Sequence, residues 1–200
     1  MTGDDRALQR ARRKAELADA AIGALKQLGY AQTGLRDIAA QSGVALGTLH
    51  YHFADKAALM DYCVRRYKAG FLAGMQDILS ADLPEERLLH SLTGRLARAI
   101  RQDAQTHRLW YDIRNQAMFD RRFEAVVAEI EADLISALQH LLRRLNLPTE
   151  MALPVYLQLD ATFRYHLQRH LAGDSATVEA FTTQVASQFS HLLAKRHWPG

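Results

Sequence analysis

A short stretch near position 50 carries side chains that could bond nucleic acid. Leu49 and Phe53 stand four residues apart, so in a helix they share one face and pack inward. That packing turns outward or sideways a hydroxyl, two imidazoles and a phenol, those of Thr48, His50, Tyr51 and His52. Such groups hydrogen-bond phosphate oxygens or base edges. The same pattern is also typical of a helix face that only meets water, so the residues alone leave both interpretations open.

A helix-turn-helix is the element that would position these side chains. Residues 36–41 predict a short helix, and Ser42-Gly43 ends it because glycine takes the left-handed conformation without a Cβ penalty. A second helix is predicted from about Ala45 to Phe53, and Asp55 stands where a third needs an N-cap. In this layout the second helix enters the major groove of DNA.

The residues around this motif resemble the DNA-binding domain of the tetracycline-repressor (TetR) family. The resemblance has no gaps and rests on Gly29-Tyr30, Thr33, Leu35-Arg36-Asp37-Ile38-Ala39, Gly43-Val44, Gly47-Thr48-Leu49, Tyr51-His52-Phe53 and Lys56. The rest of the chain resembles the family only in length and helical pattern. The resemblance implies a ligand-responsive transcriptional regulator, most often a repressor.

The resemblance also implies which residues touch DNA, with phosphate contacts on either side of the base-reading helix. The expected DNA-binding residues are Thr33, Arg36, Ala45, Leu46, Gly47, Thr48, His50, Tyr51, His52 and Lys56, of which Thr33, Arg36 and Lys56 are expected at phosphates. The family pattern usually has Ser or Thr at position 34, a polar pair at 45 and 46, and often Tyr at 50. Leu46 would contact a thymine methyl or pack against the domain, and the base preference does not carry over.

Charge is unevenly placed along the chain. The net charge is +3, yet residues 1–70 contain eleven Lys/Arg and seven Asp/Glu, whereas residues 71–200 contain fourteen and fifteen. The basic excess therefore lies with the helix-turn-helix, as phosphate binding requires. A basic group precedes it, which could reach phosphates or the minor groove or form a solvated helix face: Arg6, Arg10, Arg12, Arg13 and Lys14.

Composition limits the cellular context. No apolar run of about 18 residues predicts a membrane span, and residues 1–6 have no apolar signal segment. A single cysteine, Cys63, excludes an internal disulfide and fits a reducing compartment. We therefore expect a cytoplasmic protein, associated with the nucleoid when bound to DNA, with no cofactor and no membrane partner.

Apolar periodicity predicts an all-α protein of about nine helices and two domains. Residues 1–54 form the expected helix-turn-helix DNA-binding domain, and residues 55–200 the helical ligand-binding and dimerisation domain. After the fourth helix, which Asp55 caps, the expected helices cover residues 88–100, about 106–118, about 120–145, a stretch ending at Gly173, and about 175–195.

The C-terminal half contains candidate pocket residues that are aromatic, apolar or cationic: Trp110, Arg114, Met118, Tyr156, Phe163 and Arg164. That mixture suits a small-molecule pocket and also an ordinary helical core. The resemblance favours a cavity for an effector of unknown identity. It further implies that the last two helices join a second copy in a homodimer, whose two recognition helices would read a pseudo-palindromic operator in double-stranded DNA.

Two alternatives remain at this stage. One is a DNA-binding nucleoid or division factor without a small-molecule switch, which would occupy many sites. The other is a metal-binding protein or enzyme using His166 and His170, which are spaced to share a helix face. No acidic third ligand, Glu-x-x-His motif, Gly-rich phosphate loop or nucleophile elbow accompanies them, so we expect no metal site and no catalytic residues.

Overall fold

The computed structural model describes residues 3–30 and 33–194, and within those ranges the chain is helical with no strand. This confirms the all-α prediction. The helices are α1 Gly3–Leu28, α2 Leu35–Ser42, α3 Leu46–His52, α4 Lys56–Ser80, α5 Glu85–Ala117, α6 Glu124–Arg144, α7 Ala152–Leu171 and α8 Thr177–Ala194, with 3-10 turns at Arg121–Phe123 and Thr149–Met151. The expected end of the last helix at Lys195 lies outside the described residues.

Eight α-helices are present in the described residues instead of nine, because the two helices expected at 88–100 and about 106–118 follow one another directly across a kink within α5. Helix α5 runs through the positions where separate helices at 88–100 and about 106–118 were expected. It bends at Asp103, whose φ of −118° and ψ of 18° are not helical. Residues 100–106 contain neither proline nor glycine, so the local sequence provides no residue that would end the helix there.

The helices pack into two compact units. The first comprises Met1–Tyr67 and Arg108–Val127, and the second Lys68–His107 and Ala128–Gly200. Helices α4, α5 and α6 contribute residues to both. This division follows packing, and the functional boundary expected between residues 54 and 55 stays a prediction.

Burial of apolar side chains stabilises each unit. The first unit buries, among others, Leu17, Leu25, Ile38, Leu49, Phe53, Trp110 and Phe123. The second buries, among others, Leu79, Leu88, Ile100, Leu142, Phe181 and Val185. Cys63 is also buried in the first unit, where desolvation raises the pKa of its thiol to about 12. It is therefore a small apolar core residue rather than a reactive thiolate.

A membrane span would need a long, apolar helix. Among the residues placed by the structure, no helix meets both conditions.

Candidate nucleic-acid interface

Helix α2 and the turn after it set the direction of α3. The Gly34 N–H donates to Asp37 Oδ2 at 2.7 Å, which satisfies a backbone donor at the start of α2. Gly43 ends the helix at φ 67°, and its N–H donates to the Ala39 carbonyl. Val44 N–H donates to the same carbonyl at 3.1 Å. The turn is therefore held by backbone hydrogen bonds and needs glycine at 43, because other residues seldom adopt that φ.

Helix α3 is anchored by the two side chains that the spacing predicted. Leu49 is buried, and Phe53 is buried directly after the helix, where its N–H donates to the Leu49 carbonyl at 2.8 Å. Asp55 then caps α4 as expected, accepting from the Ala58 N–H at 2.8 Å. With its inner face fixed and α4 starting at once, α3 presents one outer face.

The predicted DNA-binding residues differ in exposure. The exposed members are Arg36, Ala45, Gly47, His50 and Tyr51, and the half-buried ones are Leu46, Thr48, His52 and Lys56. Tyr51 is 70% exposed, which is unusual for so large a side chain. A Cβ at Gly47 would meet nothing within 4 Å, so the backbone there is open to close approach.

Thr33 and Lys56 are engaged inside the domain. Thr33 is buried, and its hydroxyl donates to the Gly29 carbonyl oxygen at 2.7 Å. Lys56 Nζ donates to the Tyr30 carbonyl at 2.6 Å and lies 3.9 Å from the centroid of the Tyr30 ring. Burial lowers the pKa of Lys56, and the Asp37 carboxylate acts in the opposite direction. The Thr33 hydroxyl thus supports the turn, and Lys56 must leave its carbonyl before it can reach a phosphate.

Basic residues of α1 lie beside the outer face of α3. The Arg10 guanidinium is 5.6 Å from the Tyr51 ring centroid, within cation–π range. Burial lowers the pKa of His52, and the nearby charges of Arg10, Arg13 and Lys14 lower it further. His52 is therefore a neutral hydrogen-bonding group near pH 7. The sequence indicates the basic group but not the contact between Arg10 and Tyr51, because these two residues are forty-one positions apart.

Lys14 has a structural role that the sequence did not indicate. Its Nζ lies 5.2 Å from the Phe53 ring centroid and 4.6 Å from that of Tyr62. The aliphatic stem and the charge together bridge α1 to the C-terminal end of α3 and to α4. This contact holds α1 against the recognition helix.

A further brace within the first unit involves the turn after α5. Arg122 Nη1 donates to Asp55 Oδ2 at 3.0 Å, while its Nε and Nη2 donate to Asp120. These hydrogen bonds lower the pKa of Asp120. Tyr30 meets Phe123 edge-to-face at 6.2 Å between centroids. The residue that caps α4 is thus tied to a segment distant in sequence, and no local motif indicates this.

The expected pocket residues are divided between the compact units. In the first, Trp110 is buried with the Arg114 guanidinium 5.6 Å from its ring centroid, whereas Met118 is 71% exposed. In the second, Phe163 is buried, Arg164 is exposed, and the buried Tyr156 has its hydroxyl 3.4 Å from Glu131. Their assignment to one cavity stays a prediction.

The two histidines of the metal alternative have different surroundings. His166 is buried, with Nδ1 at 2.7 Å from Thr177 Oγ1 and Nε2 at 3.0 Å from Gln184 Oε1. Both ring nitrogens are therefore occupied by protein partners. No cluster of three or more His, Cys, Asp or Glu suited to a metal ion occurs in the parts of the chain that the structure places.

Helices α7 and α8 pack on one another and leave an open groove of about 710 Å³. Its walls include apolar side chains at Val155, Leu159, Phe189 and Leu192, and polar ones from glutamine, serine, threonine and His191. Outside the groove, α7 exposes about half of each large side chain at Leu153, Leu157 and Tyr165. The eighteen residues of α8 include one acidic residue, Glu179, and neither lysine nor arginine.

Comparison with known proteins gives a consistent picture. Residues 17–63 match the family model described as bacterial regulatory proteins, tetR family. The HTH-type transcriptional repressor KstR2 of Mycobacterium tuberculosis is 34% identical over 77 residues, and the match spans 38% of this chain and 38% of that protein. The chain therefore matches well under half the length of this curated relative.

Solved structures resemble the chain over nearly its whole length. A transcriptional regulator from Rhodococcus sp. Rha1 has a TM-score of 0.76, covering 93% of this chain and 99% of its own at 17% identity. The regulator FadR from Bacillus subtilis, solved in complex with stearoyl-CoA, has a TM-score of 0.69, covering 91% and 96% at 16% identity. Identities this low establish a shared fold.

Proposed function

We propose that this chain, which belongs to the tetR family of bacterial regulatory proteins through residues 17–63, is a transcriptional repressor released from its operator by a small molecule. The observation that carries the proposal is the outer face of α3. Leu49 and Phe53 fix the helix from inside, while His50 and Tyr51 are exposed. A rigid helix with exposed hydrogen-bonding side chains can enter a major groove without first rearranging.

Some residues of this interface are assigned to base edges and others to phosphates. His50, Tyr51, His52 and Thr48 supply donors, acceptors and a flat ring for base edges, and exposed Ala45 and Gly47 allow close approach. Arg36 is exposed and lies in the first turn of α2, where we assign it to a phosphate. Arg10 and Arg13 add positive charge beside the face, which strengthens attraction to DNA without reading its sequence. Thr33, being buried, takes no part in this proposal.

A homodimer through α7 and α8 completes the proposed repressor. Half-exposed Leu153, Leu157 and Tyr165 and the nearly uncharged surface of α8 support this assembly, because charged residues are depleted at the centres of interfaces. A second copy would cover these side chains and present two recognition helices to a pseudo-palindromic operator. The repressor would act in the cytoplasm, where its operator lies.

Small-molecule control is the third part of the proposal. FadR, which has the same fold, was solved with stearoyl-CoA bound, and this supports a role for the helical region as an effector site. The effector would favour a dimer in which the recognition helices no longer fit successive grooves. Because such coupling is reciprocal, operator DNA would weaken effector binding by the same factor.

The experiment that tests the proposal is selection of bound sequences from random duplex DNA with the purified chain at about 0.1 M salt. We expect one palindromic motif with half-sites centred about one helical turn, roughly 10 base pairs, or a multiple apart. A parallel selection at about 0.3 M salt should enrich the same motif, since charge attraction to any sequence weakens as salt rises. Recovery of salt-sensitive binding without a motif would contradict the proposal and favour a nucleoid factor without a switch.

A further inference from the structure

A second group of basic side chains lies in the interior of the second compact unit. Lys68 is 4% exposed and His107 is 2% exposed. They meet at the buried ring of Phe71, whose centroid is 5.2 Å from Lys68 Nζ and 5.1 Å from the His107 ring. The Arg95 guanidinium is 5.7 Å from the same centroid. Three basic residues from α4 and α5 thus surround one aromatic ring.

The charges of Lys68 and Arg95 both act on His107. Burial holds the pKa of His107 well below its ordinary value, and the charges of Lys68 and Arg95 lower it further. The two cations disfavour a proton on His107, so the ring stays neutral near pH 7. An anion entering this region would gain from the same field that keeps a proton off His107.

Arg95 lies where a side chain at position 74 would displace its guanidinium. A Cβ on Gly74 would lie 2.6 Å from Arg95 Nη2 and 2.9 Å from Cζ, closer than any real contact permits. The guanidinium therefore lies directly against the backbone of α4. Its Nε is buried and has no hydrogen-bond partner among the residues that the structure describes. This donor is therefore free to bond an acceptor from outside the chain.

Aromatic rings continue from the cluster toward α7 and α8. His107 lies 5.0 Å from Phe163, which in turn meets Phe181 edge-to-face at 5.9 Å. These rings provide flat apolar surface next to the cations. Guanidinium and ammonium groups beside apolar walls are the combination that binds a carboxylate or sulfonate attached to a hydrophobic body.

We propose that Lys68 and Arg95 bind the anionic group of an organic effector whose apolar body packs on Phe71 and Phe163. The inference rests on the proposed function, since this effector is the small molecule that would release the repressor from DNA. It names the chemical class of that molecule, an organic anion with an aromatic or other apolar part. His107 is a neutral hydrogen-bonding neighbour in this site.

The test uses two fluorescent probes that differ only by a charge. 8-Anilinonaphthalene-1-sulfonate carries a sulfonate, and N-phenyl-1-naphthylamine has the same rings without it. Fluorescence titration of the intact chain should give saturable binding of both, with the sulfonate bound more tightly. Arg95→Gln and Lys68→Met should each weaken sulfonate binding by about 10-fold, the loss of a charge-assisted hydrogen bond. Binding of the neutral probe should change by less than about 3-fold.

Two further variants separate charge from packing. Gly74→Ala should weaken sulfonate binding because it displaces the guanidinium, whereas Gly70→Ala, on the same helix with nothing within 4 Å of its Cβ, should not. Phe163→Leu should weaken both probes. Inorganic phosphate at equal concentration should not displace the sulfonate, because it has no apolar body. Thermal melts of every variant report whether the fold is kept.

Several results would overturn the inference. They are equal loss of both probes in Arg95→Gln, no loss of sulfonate binding in either charge variant, displacement by phosphate, and absence of saturable sulfonate binding to the wild-type chain. Operator binding by the wild-type chain, measured separately by fluorescence anisotropy without any probe, reports on the proposed function. Operator binding without sulfonate binding would contradict only this inference. Sulfonate binding without operator binding would leave the anion site standing and would contradict the repressor, together with the role of the anion as its effector.

Discussion

Imidazole, aromatic and cationic side chains lie together both at the outer face of α3 and around Phe71. At the outer face of α3, Tyr51 is 70% exposed, and the Arg10 guanidinium lies over its ring. Around Phe71, Lys68 and His107 are almost fully buried. The same chemical groups therefore serve different binding modes. At the exposed face, each side chain would replace hydrogen bonds to water by contacts in the DNA groove. In the cluster around Phe71, the cations would act together on one anionic group in a medium of low dielectric constant.

The largest expected effect sharpens this comparison at the exposed face. Tyr51→Ala combined with His52→Ala should reduce operator affinity to the level of non-specific DNA, a loss of about 10³-fold or more. Stability should stay within about 1 kcal/mol, because Tyr51 is exposed and His52 is only half-buried. Fluorescence anisotropy and urea unfolding measure the two quantities.

Phe119→Ala is the matched control for that double variant, because Phe119 is an aromatic residue, 84% exposed, in the same compact unit. It should leave operator affinity unchanged. Intact specific binding in the double variant would mean that α3 is not the recognition helix.

The next effect concerns the proposed dimer, in which two copies of the α3 face bind two half-sites of the operator. Leu153→Glu with Leu157→Glu places two charges on the half-exposed surface of α7 and should leave a monomer. Sedimentation equilibrium should then report one chain of 22.5 kDa rather than two. Operator affinity should fall by about 100-fold, since the second half-site no longer binds intramolecularly.

Met118→Glu, at a position 71% exposed in the first unit, should leave the dimer intact. If the α7 double variant still sediments as a dimer, the assembly uses another surface.

A smaller effect tests whether Lys56 contacts a DNA phosphate in the complex. Lys56→Met should lower the slope of log affinity against log salt by about 1 if the ammonium leaves the Tyr30 carbonyl for a phosphate. Arg121→Gln removes a 92% exposed charge elsewhere in the unit and should leave the slope unchanged. An unchanged slope in Lys56→Met would show that Lys56 keeps its internal hydrogen bond in the complex.

The smallest effect tests the buried cluster around Phe71, through the protonation of His107. Because the pKa of His107 is well below 6.5 in the folded chain, the unfolded chain binds the proton more readily. Its contribution to stability is therefore complete above about pH 6.5 and is lost as pH falls toward the folded-state pKa, by up to about 1.4 kcal/mol per pH unit. Urea unfolding between pH 5 and 7.5 measures this slope.

His107→Gln should remove that acid sensitivity, although it lowers stability at every pH by disturbing the contacts with Phe71 and Phe163. His90→Gln, at an exposed histidine, should leave the slope as in the wild type. An unaltered slope in His107→Gln would contradict the buried, neutral state of this ring.

The two regions also differ in how far the sequence predicts them. The face of α3 is readable because Thr48, His50 and Tyr51 follow one another on a helix whose inner positions are Leu49 and Phe53. The cluster around Phe71 has members on α4, α5 and α7, and only packing brings them together. Candidates such as Arg114 and Arg164 were chosen by residue type along one helix, which says nothing of the tertiary contacts that bury Lys68 and bring Arg95 beside Phe71.

Two local expectations show the same limit. Thr33 has the residue type for a phosphate contact, but its hydroxyl donates to the Gly29 carbonyl. The two helices expected on either side of residue 103 meet at a kink at Asp103 with no loop between them, because apolar periodicity does not distinguish a kink from a loop when no proline or glycine intervenes. Side-chain direction and helix continuity both depend on tertiary packing.

Photocrosslinking from two exposed aromatic positions tests the central claim most directly. p-Benzoylphenylalanine would replace Tyr51 in one variant and Phe119 in another, and each would be irradiated with duplex DNA carrying the selected motif. We expect a covalent adduct to bases within each half-site from position 51 and none from position 119. Adducts from position 119 without any from position 51 would contradict recognition by α3.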